Sequence, residues 1–354
     1  MYQRQGAMRA QYFLCSGNVP SQTREFTLES AASGQAQRVI LVSLAKSGTH
    51  LLQELMLALG YKMFGSGVRL TPETVPVLDR ETRWRIARMV YDKDTISELE
   101  GVDEARFILA TDRAWDALGW SWHIRLAQPL ATWYTLELVD TGFVAQTHQR
   151  VEGSDFADTP ANVCWAFSQF DITQLDGHFL HEWSETGEPR ILFNYRDPRD
   201  VTLSAVNFLS DKSGKGFSAY NDSRVFSEIL QAKDSLEEKL TYALTDPSFP
   251  TQGDFHTMLW LLNHPNVCKT SFEELIGPQG GGSAEEQIQA LKRVFEFLGV
   301  TDQKPEEVAS KLFNRDSFSF YKGQIGGWRE AFTTEHWRLA NERFGDVLQL
   351  YGYE

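Results

Sequence analysis

Arg38-Val39-Ile40-Leu41-Val42-Ser43, Leu44-Ala45-Lys46-Ser47-Gly48-Thr49, and then Leu51, Leu52, Leu55, Met56 and Leu59 form the stretch on which the fold turns. The first six residues are a short apolar run of the kind buried on both faces of a parallel sheet. The next six are small and polar around one glycine. The apolar residues that follow recur at helical spacing, and Gly60 stands where a helix C-cap belongs. The unit reads strand, tight loop, helix. Free backbone N–H groups and the helix dipole make such a loop a natural anion site. Gly48 permits close backbone approach, Ser47 and Thr49 add hydroxyls, and Lys46 adds a charge. A nucleotide triphosphatase loop reads G-x-x-x-x-G-K-[ST]; here the lysine precedes the glycine and the first glycine is absent.

Working outward, Arg190–Tyr195 and Asn266–Thr270 read as further strands, and Phe143–Thr147 reads as a strand ending at His148. Helices are predicted near Arg83–Tyr91, Ala161–Trp183, Asp200–Phe208, 226–244, 254–263, Ala284–Leu298, 304–313 and 334–350. Alternating strands and helices give the α/β class with a central parallel sheet flanked by helices. Residues 1–37 lack periodicity and read as an N-terminal arm; residues 38–354 read as one domain. The tryptophans of 112–142 and the glycine-bearing loop 210–223 are candidates for the wall and lid of an acceptor pocket, with core packing as the plainer role for the tryptophans.

Composition narrows the function classes. The 354 residues carry a net charge of −14, which argues against nucleic-acid or anionic-membrane partners. Charged residues at 23% and hydrophobic residues at 42% exclude global disorder. Cys15, Cys164 and Cys268 are scattered and form no C-x-x-C, so neither a disulfide framework nor a cysteine zinc site is expected. His178 and His181 lack a third ligand nearby in sequence, and no metal site is expected. Arg4 and Arg9 precede only a short apolar stretch, Tyr12–Cys15, too short for a signal-peptide core, and no apolar run approaches a membrane span. The expectation is a cytoplasmic protein with free thiols.

Two further segments complete a pattern. Tyr195-Arg196-Asp197-Pro198-Arg199-Asp200-Val201 follows one strand and opens a helix carrying Ser204, and Phe320-Tyr321-Lys322-Gly323-Gln324-Ile325-Gly326-Gly327-Trp328-Arg329 is a glycine-punctuated loop with cations. Arg199 is open to pairing with Asp200 or to solvent. Together with the first loop, the three segments resemble those of the sulfotransferases that use 3′-phosphoadenosine 5′-phosphosulfate (PAPS). The resemblance spans roughly 38–354. It implies that Lys46, Ser47, Gly48 and Thr49 hold the 5′-phosphosulfate, that Arg196 and Ser204 hold the 3′-phosphate, and that Lys322 and Gly323 close over it. It further implies that Phe272 lies near the adenine, that His148 in Gln146-Thr147-His148 is the catalytic base, and that Lys46 assists catalysis.

The implied reaction moves the sulfonate of PAPS to a hydroxyl or amine of a small metabolite, releasing adenosine 3′,5′-bisphosphate (PAP), without a metal. The chain departs from the family at Ala45, His50-Leu51, Gln146 and Tyr321, where Pro, Thr-Trp, Lys and Arg are usual. Two alternatives stand beside this: a nucleotide-dependent kinase sharing the strand-loop-helix unit, and an inactive nucleotide-binding scaffold.

Overall fold

The computed structural model describes residues 9–11, 25–27, 34–65, 68, 71–128, 139–211, 223–250, 254–313 and 323–353. In chain order its strands are β1 (Arg9–Gln11), β2 (Glu25–Thr27), β3 (Arg38–Ser43), β4 (Lys62–Gly65), β5 (Val163–Phe167), β6 (Arg190–Tyr195) and β7 (Val267–Ser271). The helices are α1 (Thr49–Ala58), α2 (Arg80–Val90), α3 (Lys93–Glu100), α4 (Glu104–Arg125), α5 (Thr141–Val151), α6 (Gly177–Thr186), α7 (Pro198–Leu209), α8 (Ser223–Gln231), α9 (Leu236–Thr245), α10 (Asp254–Thr257), α11 (Phe272–Ile276), α12 (Ala284–Leu298), α13 (Pro305–Leu312), α14 (Trp328–Ala331) and α15 (Thr334–Leu350). Within the arm, β1 and β2 pair antiparallel.

Five strands form one parallel sheet in the order β4-β5-β3-β6-β7. Side chains alternate across a strand, and β3 divides accordingly. Ile40, Val42 and Leu44 join Trp165, Phe167 and Phe193 on the face covered by α4, α5 and α7. Val39 and Leu41 join Cys164, Ala166 and Leu192 on the face covered by α1, α12 and α13. All three inner strands are therefore buried on both sides, which explains why their sequences read as continuous apolar runs.

The chain leaves β3 toward one face through α1 and leaves β6 toward the other through α7. Between the C-terminal ends of two such neighbouring strands a crevice opens, the usual ligand position of a parallel α/β sheet.

Two expected elements are corrected. Phe143–Thr147 is not a strand but part of α5. Val144, Thr147 and Val151 are its buried residues, a helical spacing, and the Asp140 carboxylate caps the start by accepting from Phe143 N at 3.0 Å. The start of the helix expected over Ala161–Trp183 is instead β5, all five of whose residues are buried because it is inserted between β4 and β3. A fully buried run carries no period by which helix and strand can be told apart. The long helix expected over 226–244 is divided, and Ser235 caps the second piece by accepting from Glu238 N.

Candidate active site

The loop after β3 is shaped for close backbone approach. Lys46 and Gly48 both take left-handed conformations, with φ of 65° and 99°, where a non-glycine residue such as Lys46 is held only by its surroundings. Ser47 N donates to Leu44 O at 2.9 Å. Gly48 caps α1 without a side-chain acceptor, so the first N–H groups of the helix lack a capping side chain. Ser47 is fully buried and its Oγ has no hydrogen-bond partner. An orphaned hydroxyl at a helix N-terminus is what an anion site requires. Thr49 is turned inward, its Oγ1 donating to Ser43 Oγ at 3.1 Å.

Neighbouring strands hold this loop in place. Asn194, at the end of β6, donates its amide to Ser47 O at 2.5 Å and accepts from Thr270 Oγ1 of β7 at 3.0 Å. Phe272 opens α11 behind a capping box formed by Ser271 and Glu274. Its ring lies against Gly48 so closely that a Cβ there would stand 2.8 Å from Phe272 Cδ2.

Arg196 ties the three sequence segments together. Its guanidinium donates to Gln324 O at 2.8 Å, approaches Lys46 O at 3.5 Å and stands 3.6 Å from Asp200 Oδ2. It also lies 4.1 Å over the Phe272 ring. Its Nε is buried without a partner, so one donor of the fork remains for a ligand.

Asp200 clamps the late segment, accepting from Gly326 N at 2.7 Å and Trp328 N at 3.1 Å. Burial pushes its carboxyl above the usual range, and Arg196 and these donors oppose that. Asp197 caps α7 and accepts from Arg199 Nε at 2.9 Å and Trp328 Nε1 at 3.1 Å. Arg199 thus pairs with Asp197 and stacks 3.9 Å over Trp328, away from solvent. Arg329 is exposed.

The Lys46 ammonium rests 3.8 Å over the Phe208 ring of α7. Burial, and after it the nearby Arg196 charge, lowers its pKa to about 7. His50 is lowered to about 4 by burial and by Lys46, and is therefore neutral. Ser204 lies half-buried on α7. Gly323 is described and left-handed, with φ of 58°. Tyr321, Lys322, Trp133 and residues 212–222 lie outside the described residues.

The structure thus joins Lys46, Ser47, Gly48, Phe272 and Arg196, with Gln324 one residue beyond Gly323. His148 lies half-buried on α5, with Nδ1 buried and unpartnered. The strand that flanks β3 on that side is β5, which runs out into Phe167-Ser168-Gln169. His178 pairs with Asp155 at 2.7 Å, and among the described residues no group of three His, Cys, Asp or Glu could hold a metal. Nor is any described helix long and apolar enough to cross a membrane.

Sequence reasoning missed Asn194 and the roles of Asp197 and Asp200. Asn194 was signalled only as the one polar residue inside an apolar strand. A further histidine, His123, was also missed. It is fully buried on α4, its Nδ1 stands 3.1 Å from Gly119 O, and its Nε2 has no partner. Burial lowers its pKa to about 4, so the ring is neutral.

No family model and no curated protein matches the chain. Among solved structures it is similar to a crystal structure of mouse sulfotransferase SULT7A1 complexed with PAP. That similarity is at 15% identity, covering 90% of this chain and 86% of that one, with a TM-score of 0.45.

Proposed function

We propose that this chain is a PAPS-dependent sulfotransferase acting on a small-molecule acceptor. The observation that carries the reading is Arg196: one guanidinium reaches the first loop at Lys46 O, the late segment at Gln324 O and the Asp200 carboxylate, and keeps Nε unspent. Two orphaned buried groups, Ser47 Oγ and Arg196 Nε, fit a ligand with anionic groups at both ends.

PAPS supplies the sulfonate and, after transfer, a stable bisphosphate leaving group. In this proposal Ser47 Oγ and the N–H groups of Gly48 and Thr49 hold its 5′-phosphosulfate, and Lys46 offsets charge on the bridging oxygen. Arg196 and Ser204 hold the 3′-phosphate, Phe272 lies near the adenine, and Lys322 and Gly323 close over the phosphate. The in-line displacement needs no metal. It needs one group to take the acceptor's proton, for which the sequence offers His148.

Thermal shift tests the reading. PAP is expected to raise the melting temperature and ATP with Mg²⁺ is not. The reverse result favours a kinase. Tight PAP binding with no transfer to a broad acceptor panel favours a scaffold.

A further inference from the structure

We propose that Tyr353 is a positioning residue for the 3′-phosphate: through Glu273 it fixes the peptide between Arg196 and Asp197, and so aims the Arg196 guanidinium. This rests on the sulfuryl-transfer reading above, in which Arg196 holds that phosphate.

The segment after α15 is turned back toward the sheet by a specific device. Tyr351 is the C-cap of that helix, and Gly352 beyond it takes a left-handed conformation, with φ of 80°. Gly352 N donates to Gln349 O at 3.2 Å, and Tyr353 N donates to Leu348 O at 2.7 Å. These two bonds make a Schellman motif, which gives the residue after the glycine a defined place.

That place brackets Arg196 along the chain. Tyr195, the last residue of β6, has its ring 5.2 Å from that of Tyr351 and 6.1 Å from that of Tyr353. The Tyr353 hydroxyl donates to Glu273 Oε2 at 2.8 Å, and Asp197 N donates to Glu273 Oε1 at 3.2 Å. The segment therefore meets the residue before Arg196 by packing and the residue after it through one carboxylate. Glu273 follows Phe272 in α11, and the Phe272 ring lies under the Arg196 guanidinium. Two consecutive residues of α11 thus hold Arg196, one by its side chain and one by its peptide.

Two observations separate positioning from plain packing. A cavity of about 240 Å³ opens at this joint, lined by Asp197, Glu273, Arg329 and Tyr353 among others. Hydrogen bonds rather than close packing therefore hold the Glu273 carboxylate. Burial pushes that carboxyl above its usual range, and the Tyr353 hydroxyl and Asp197 N–H oppose the rise. Without the hydroxyl, Oε2 loses this donor and the carboxylate is free to turn into the cavity, away from Asp197 N. Arg196 keeps its contacts with Gln324 O and Asp200, so the late segment stays tied while the guanidinium loses its aim.

Calorimetry on the full chain tests this with PAP and with adenosine 5′-phosphate, which lacks the 3′ group. The unaltered protein is expected to prefer PAP; no preference removes the assignment of Arg196 and the sulfotransferase reading with it. Tyr353→Phe keeps a ring against Tyr195 and removes only the hydroxyl. It is expected to lower the preference for PAP about five- to tenfold, as the loss of a hydrogen bond to a charged group does, with affinity for adenosine 5′-phosphate held within about twofold. A lower melting temperature with the preference intact, in a protein that does prefer PAP, makes the contact structural only and overturns the proposal alone. In a Glu273→Ala background the same Tyr353→Phe change is expected to move the preference by less than about twofold, because its partner is already gone. An undiminished effect there overturns the route through Glu273.

Discussion

At the ends of β3 and β6, Asn194, Arg196 and Asp200 bind backbone groups of separate chain segments into one polar lattice, and Asp197 adds the Trp328 indole. At the ends of β4 and β5, Phe64, Trp120, Trp165 and Phe167 pack at steep angles around one imidazole, with Trp115 against Phe64 and Trp165. The first region is specified by directional bonds, the second by shape. A charged ligand suits the first because its donors are already fixed, at little cost of reorganisation.

The contrast is broken most severely at Arg196. Arg196→Ala leaves Asp200 buried without its cation and unties Gln324. Losses of this kind cost about 2–5 kcal/mol, so PAP affinity is expected to fall about 100-fold or more, measured by calorimetry. The 3′-dephospho analogue is expected to lose much less. Equal losses would place the 3′-phosphate elsewhere.

Next comes Asp200→Ala, which orphans Gly326 N and Trp328 N at about 1–3 kcal/mol for a buried unmade bond. A melting temperature several degrees lower and weaker PAP binding are expected. Unchanged values would mean that the late segment is held by Asp197 and Arg196 alone.

On the aromatic side, Gly119→Ala drives a methyl into the Phe64 ring. Overpacking of this kind costs about 1–3 kcal/mol. The melting temperature is expected to drop while PAP affinity in the folded protein stays within about twofold, because additivity holds for separated sites. A matching loss of affinity would show that the two regions are coupled.

The smallest effect is expected at Arg329→Ala. Its side chain is exposed and only covers Trp328 at 4.9 Å. Stability is expected to change by less than about 0.5 kcal/mol, and PAP affinity by less than about twofold.

The same contrast marks where the sequence was readable. The polar region is made of strand-loop-helix units contiguous in the chain. Arg38–Thr49 and Arg190–Ser204 therefore announced themselves through an apolar run, a turn and a cap, and β3, β6, β7 and α12 lie where the pattern placed them. The aromatic region joins segments distant in sequence. Gly65 meets Ala166 and His123 only after β5 slots between β4 and β3. Nothing local in Val163–Phe167 announced a strand, and the short apolar pattern around Val144 suited either period. The strand end expected to carry His148 therefore became a helix, and the histidine with a bare nitrogen went unnoticed on α4. The contacts of Asp200 escaped for the same reason, since their partners lie 126 and 128 residues away.

The depressed Lys46 ammonium has a thermodynamic consequence. With a pKa of about 7 before any ligand arrives, the side chain is near half-protonated in neutral solution. An incoming polyanion favours the charged form, so docking draws roughly half a proton out of the buffer at pH 7. The heat of association will then differ between phosphate and Tris in proportion to their ionisation enthalpies, and the proton count will fade toward zero as the solution is acidified below pH 6.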